Sequence, residues 1–166
     1  MNKAFTLIEL MVVTALIALV SILIMPNFRS GENQLAVKRE TYKLSQNIRR
    51  VQEMAISAKE FEGAVPGGYG VYFKKTEPAH FIIFADIDND KTYSSLDNVV
   101  EDVLLEEIEI SSLSSGTKLT IVFTSPDPTV TITPSSESAA INLKRVGSEQ
   151  DVSSVTINKV GLITID

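Results

Sequence analysis

Hydrophobic and polar positions divide the 166-residue chain into three stretches. From Leu10 to Met25, sixteen residues (LMVVTALIALVSILIM) carry no charge, and extending the run back to Phe5 gives twenty-one interrupted only by Glu9. As a helix at 1.5 Å per residue the run is about 31 Å long, close to the roughly 30 Å hydrocarbon core of a bilayer. It is apolar on every side, which suits lipid or a fully buried helix and not the surface of a globular domain. Pro26 closes it. Within a continuing helix this proline removes the hydrogen bond to the Ile22 carbonyl and clashes with that turn, at a cost of about 3 kcal/mol. A kink is therefore expected around Ile22 to Pro26, or the helix ends and a new one begins at Asn27.

From Asn33 to about Phe61 the pattern becomes amphipathic. Val37, Leu44, Ile48, Val51, Ala55 and Ala58 fall on three-four spacing with Thr41 in the gap, while Lys38, Arg39, Lys43, Arg49, Arg50 and Lys59 occupy the other faces. This predicts a helix packed on its own domain with its charges in solvent. Gly63, Pro66, Gly67 and Gly68 then end it. Beyond Gly68 the chain reads as short strands: GYGVYFK and HFIIFAD around a KTEPA hairpin, then DVLLEEIEI, KLTIVFT, TVTIT, AAINLKRV, VTINKV and LITI. In TVTIT and KLTIVFT, Thr alternates with apolar residues at the period of two that marks a half-buried strand. Pro126, Pro128 and Pro134 fall between strands. The predicted class is α+β: a long N-terminal helix, apolar then amphipathic, packed on an antiparallel β-rich head of two small sheets. The boundaries expected are 1–4, 5–26, 27–62 and 63–166.

Composition narrows the chemistry. The chain has no cysteine and one histidine, His80, which excludes thiol catalysis and cysteine metal sites and leaves no second histidine for a metal set. The serines lack a base partner, and Ser111, Ser112, Ser114 and Ser115 before Gly116 read as a turn. His80, at the start of an apolar strand, reads as a structural residue. No enzymatic constellation is present. The net charge of -6 argues against a nucleic-acid partner. It is also local: residues 1–26 are neutral, 27–62 carry +2 and 63–166 carry -8.

The imbalance of the head lies in one run. Asp86, Asp88, Asp90, Asp97, Glu101, Asp102, Glu106, Glu107 and Glu109 fall within twenty-four residues with Lys91 the only base. Two readings stay open. Like charges at this density keep a loop solvated. Alternatively, DIDNDKTYSSLD places Asp86, Asp88, Asp90 and Asp97 at positions 1, 3, 5 and 12 of a calcium-loop pattern, making calcium the one cofactor the sequence offers. Lys91 stands there where the sharp turn favours Gly, and Asp97 replaces the usual bidentate Glu.

An ionisable residue near a membrane span needs a partner, and Glu9 is the case in point. The sequence after Met25, PNFRSGENQ, lacks the small-residue site of a cleaved secretory signal. The string AFTLIELMVVTALIALVSILIMP instead resembles the N-terminus of a type IV pilin or pseudopilin precursor. The resemblance implies a leader Met1–Ala4, cleavage between Ala4 and Phe5 by a prepilin peptidase, and N-methylation of Phe5; the family leader usually ends in Gly where this one has Ala4. It further implies that Glu9 pairs with the α-amine of Phe5 on a neighbouring subunit during assembly. That amine is largely cationic near neutral pH, with an ordinary pKa of about 7.7–8.0, and the attraction strengthens in a low dielectric. In the head, GVYF, FADIDND and VTINKVGLITI resemble minor pseudopilins of the GspH/FimT type. The partners implied are other pilin or pseudopilin subunits, the prepilin peptidase, an inner-membrane assembly platform and, before assembly, the bilayer. The location implied is the cell membrane, single-pass, with a cytoplasmic N-terminus before processing and an extracytoplasmic head. The function expected is that of a structural subunit of a type IV pilus-like or type II secretion filament. The alternative is a membrane-tethered extracytoplasmic binding module with an acidic, calcium-binding loop.

Overall fold

The computed structural model describes residues 6–127, 129–148 and 152–166, and only the backbone of residues 24–33 and 152. The chain divides into two compact units, Met1–Leu35 and Ala36–Asp166. One helix, α1 (Leu7–Ile56), is assigned continuously, including at Pro26, so a second helix does not start at Asn27. Any kink at Pro26 depends on residues whose side chains lie outside those described.

In the first unit, α1 presents apolar side chains to solvent on every face: Leu7, Ile8, Met11, Leu16, Ile17 and Leu23 are all well over half exposed. Among the described residues no helix is long and apolar enough to cross a membrane. The described side chains of the run reach from Leu7 to Leu23, and Ile24 and Met25 lie beyond them.

In the second unit the same helix behaves oppositely. Val37, Thr41, Leu44, Ile48, Val51 and Ala55 are all buried, as the spacing predicts. Ala58 departs from that expectation, because the helix stops at Ile56, before the glycines. The Lys59 amide donates to the Met54 carbonyl at 3.0 Å and the Ala58 amide to that of Ala55 at 3.0 Å, with Ala58 left-handed at φ 45°. These two bonds form a Schellman cap, with Ala in the position glycine normally takes. The Tyr69 hydroxyl then donates to the Lys59 carbonyl at 2.6 Å, tying the cap to the first strand, and burial pushes this phenol's pKa up.

Among the described residues nine strands follow: β1 (Gly68–Lys74), β2 (His80–Asp86), β3 (Asn98–Leu104), β4 (Ile108–Leu113), β5 (Lys118–Thr124), β6 (Val130–Thr133), β7 (Ser138–Arg145), β8 (Val152–Asn158) and β9 (Ile163–Ile165). They form two antiparallel sheets, ordered β3-β2-β1-β5-β6 and β4-β7-β8-β9. The α+β class with two sheets is as expected. DVLLEEIEI, however, is not one strand. Glu107 takes φ 61° and the chain changes sheet there, with Leu105 buried at the crossover. Ser111 and Ser112 lie in β4, so only Ser114 to Gly116 form the turn.

One apolar cluster joins the helix stripe to the inner faces of both sheets: Tyr69, Val71 and Phe73 of β1 and Ile121 of β5 from one, Ile141 and Leu143 of β7 and Ile157 of β8 from the other. The alternation of strands supplies these faces directly. The outer face of the five-stranded sheet is covered too. Phe84 and Val122 are fully buried outside that cluster. Phe84 packs on Tyr93, ring centroids 5.1 Å apart, and Tyr72 on Tyr93 at 4.8 Å. Gly70, paired with Phe84, leaves room for that ring; a Cβ there would lie 2.5 Å from its Cζ.

Candidate functional site

The sequence nominates two places, the start of α1 and the acidic run. Ala4 and Phe5 lie outside the described residues. Glu9 is described, on the exposed first turn, and its surroundings show something the sequence reading missed. Thr6 precedes the helix, its Oγ1 accepts the Glu9 amide at 3.3 Å, and its own amide and hydroxyl lie 3.4 Å from Glu9 Oε2. This is a capping box, readable from Thr-x-x-Glu in the TLIE string. Glu9 thus caps its own helix, and as an anion also suits the positive end of the helix dipole.

The acidic run divides by position, with Glu106 and Glu107 in the connection between β3 and β4. Three acids on strands have basic side chains as neighbours. Glu101 pairs with Arg50 of α1, Asp102 Oδ1 lies 2.8 Å from His80 Nδ1, and Glu109 lies 3.5 Å from Lys144 of β7. His80 accordingly stands between two surface carboxylates, with Glu77 Oε2 3.7 Å from its Nε2.

Asp86 ends β2, and the loop between β2 and β3 holds Asp88, Asp90 and Asp97; the loop is docked on the sheet while Asp88 and Asp90 themselves stay exposed to solvent. Tyr93 anchors it on the outer sheet face, and the Lys91 carbonyl accepts from the Thr133 hydroxyl at 3.5 Å. Asn89 leans on Gly67, where a Cβ would lie 2.3 Å from its Oδ1. Asn89 and Lys91 both take left-handed backbone, φ 62° and 65°, so Lys91 adopts the conformation that the calcium-loop pattern gives to glycine.

The four aspartates divide three to one. Carboxylate oxygens of Asp86, Asp88 and Asp97 lie within 4.8 Å of one another. Asp90 is not among them: its carboxylate turns back to accept the Thr92 amide at 2.7 Å and hydroxyl at 2.9 Å. Sequence spacing could not foresee this, because a residue that both precedes and caps a turn bonds locally at little cost. Asp97 accepts the Ile87 amide at 3.1 Å and the Ser94 amide at 2.7 Å, which closes the loop on itself.

Asp86 is fully buried. Its Oδ2 accepts the Lys91 amide at 3.3 Å and lies 3.5 Å from the Lys91 ammonium, whereas its Oδ1 has no hydrogen-bond partner. Burial pushes its pKa above the ordinary carboxylate value; Lys91 opposes that shift and Asp97 adds to it. The Lys91 ammonium is itself shared, donating to the Gly67 carbonyl at 3.0 Å and to Asn89 Oδ1. Three converging carboxylates beside one divided ammonium form an oxygen-rich site of the chemistry that hard cations favour.

Compared with known proteins, residues 1–25 match the family model described as a prokaryotic N-terminal methylation motif. The match supports a type IV pilin-like segment of the kind a prepilin peptidase processes, and points to a structural subunit that assembles with other pilin subunits. It ends at residue 25 and does not reach the head. No curated protein and no solved structure matches the chain significantly.

Proposed function

We propose that this protein is a minor pilin or pseudopilin: a structural subunit of a type IV pilus-like or type II secretion filament, assembled through its N-terminal helix. The observation that carries the proposal is the first unit of α1. Within the residues that match the methylation motif stands a helix that is apolar and exposed on all faces from Leu7 to Leu23, with one carboxylate in its first turn. At about 25 cal/mol per Å² of apolar surface, such a helix is strongly driven out of water. Among the described residues of its own unit nothing covers it, which supports a partner in another molecule. The bilayer serves before assembly, and the helices of neighbouring subunits serve afterwards.

Processing precedes assembly. A prepilin peptidase cuts between Ala4 and Phe5 and methylates Phe5, and the inner-membrane platform receives the anchored subunit with its head on the extracytoplasmic side. The new amine then pairs with Glu9 of a neighbour, an ion pair that fixes one axial stagger between helices because a misregistered carboxylate would stay unpaired in a low dielectric. The head resembles minor pseudopilins of the GspH/FimT type, which favours a minor position in the filament.

The capping box dictates how Glu9 is tested. Glu9→Gln keeps a side chain able to cap but removes the charge, whereas Glu9→Ala removes both. Pairing with the amine predicts that both variants enter the membrane and that both fall at least tenfold in filament incorporation, measured by crosslinking in cells. Normal incorporation of Glu9→Gln would reduce Glu9 to a cap and defeat the assembly role.

A second reading, a membrane-tethered binding module, draws on the docked acidic loop. It differs in retaining Met1 and in needing no neighbouring subunit.

A further inference from the structure

We propose that Asp86, Asp88 and Asp97 bind one calcium ion, with Asp90 excluded from the ligand set. Proximity of acids alone would not carry this. The deciding observation is the state of Asp86: its side chain has no solvent exposure, it belongs to the converging triad, and its Oδ1 lacks any hydrogen-bond partner. An ionised carboxylate oxygen withdrawn from water and left unpaired is costly, and native proteins pair such groups or give them a metal. The internal cation does not meet the need. The Lys91 ammonium lies 3.5 Å from the other oxygen, Oδ2, and divides its donors between the Gly67 carbonyl and Asn89. Three carboxylates against one ammonium leave a charge of about -2, which a divalent cation cancels.

The chemistry selects the ion. All donors are oxygens, the triad holds positions 1, 3 and 12 of a calcium-loop pattern, and the left-handed turn that the pattern needs at position 6 is present at Lys91. The pattern takes a further ligand from the main-chain carbonyl at position 7, here that of Thr92. Carboxylates already held by loop amides suit calcium, whose ligand number and geometry are tolerant, better than magnesium, which demands a near-ideal octahedron and gives up water reluctantly. With three acids, an Asp in place of Glu at position 12 and a competing lysine, the affinity falls in the range of extracellular modules, Kd about 10⁻⁴–10⁻³ M. Bound calcium would fasten the two ends of the loop, Asp86 and Asp97, and hold Tyr93 on the outer sheet face. The proposal is independent of the filament reading, since a tethered module would present the same loop.

The test is calorimetric titration of calcium into the full chain in detergent micelles, with magnesium as comparison. One saturable site in that affinity range is expected, with magnesium at least tenfold weaker. Asp88→Asn, at an exposed position that leaves folding intact, weakens binding at least tenfold, as does Asp97→Asn. Asp90→Ala changes it less than twofold. Lys91→Gly, which removes the competing ammonium and puts glycine on the left-handed turn, tightens it severalfold. Absence of saturable heat up to about 10 mM calcium, equal binding of magnesium, or loss of binding in Asp90→Ala as large as in Asp88→Asn would each overturn the proposal.

Discussion

Within one helix, two sets of residues of the same type meet opposite fates. Leu7, Ile8, Leu16 and Leu23 stand largely in solvent, whereas Val37, Leu44, Ile48 and Val51 are sealed into the head. Local propensity does not distinguish them, since both stretches are helical. The difference lies in spacing: the second set forms one stripe that a single folded domain covers, while the first surrounds the helix and asks for a surrounding partner. Burial of the second set is therefore a property of the folded chain. Burial of the first, on the proposed reading, belongs to an assembly.

This contrast can be broken or sharpened by substitution. The largest effect is expected at the stripe. Ile48→Ala should lower the stability of the head by about 2–5 kcal/mol, because the site is fully enclosed and a cavity remains. Leu16→Ala, in the exposed set, should leave thermal unfolding of the head within about 0.5 kcal/mol of the parent. Equal losses from both would mean that the head depends on the first unit. A smaller effect is expected where the outer sheet face is closed. Gly70→Ala places a Cβ 2.5 Å from the buried Phe84 ring, and denaturant unfolding should register a loss of about 1–3 kcal/mol from overpacking. The smallest, and of opposite sign, is at the end of the covered half. Ala58→Gly relieves a left-handed alanine and should raise stability by about 0.5–1 kcal/mol, readable as a higher unfolding midpoint.

Much of this was legible in the sequence, and each failure has a physical reason. The limits of β1, β2 and β5 coincide with the strings GYGVYFK, HFIIFAD and KLTIVFT, because a sheet face buried against a core enforces its alternation. The helix end was misplaced since Gly63 and Pro66 are strong breakers, yet an alanine, normally a helix former, accepted the left-handed cap position earlier in the chain. The β3–β4 break went unseen for a similar reason: Glu107 takes positive φ without being Gly, Asn or Asp. At the site, spacing brought out Asp86, Asp88 and Asp97 but also Asp90, because a linear pattern does not reveal which carboxylate will bond its own turn. Nor does it reveal that Asp86, at the end of β2, is fully buried.

The contrast between the two halves of α1 rests on the exposed half being built for an assembly that begins with cleavage. Intact-mass and N-terminal sequencing of the protein purified from its native membrane tests this most directly. The account predicts a mature chain that begins at N-methylated Phe5, with Met1–Ala4 removed. A chain that retains Met1 and an unmodified Phe5 would contradict it.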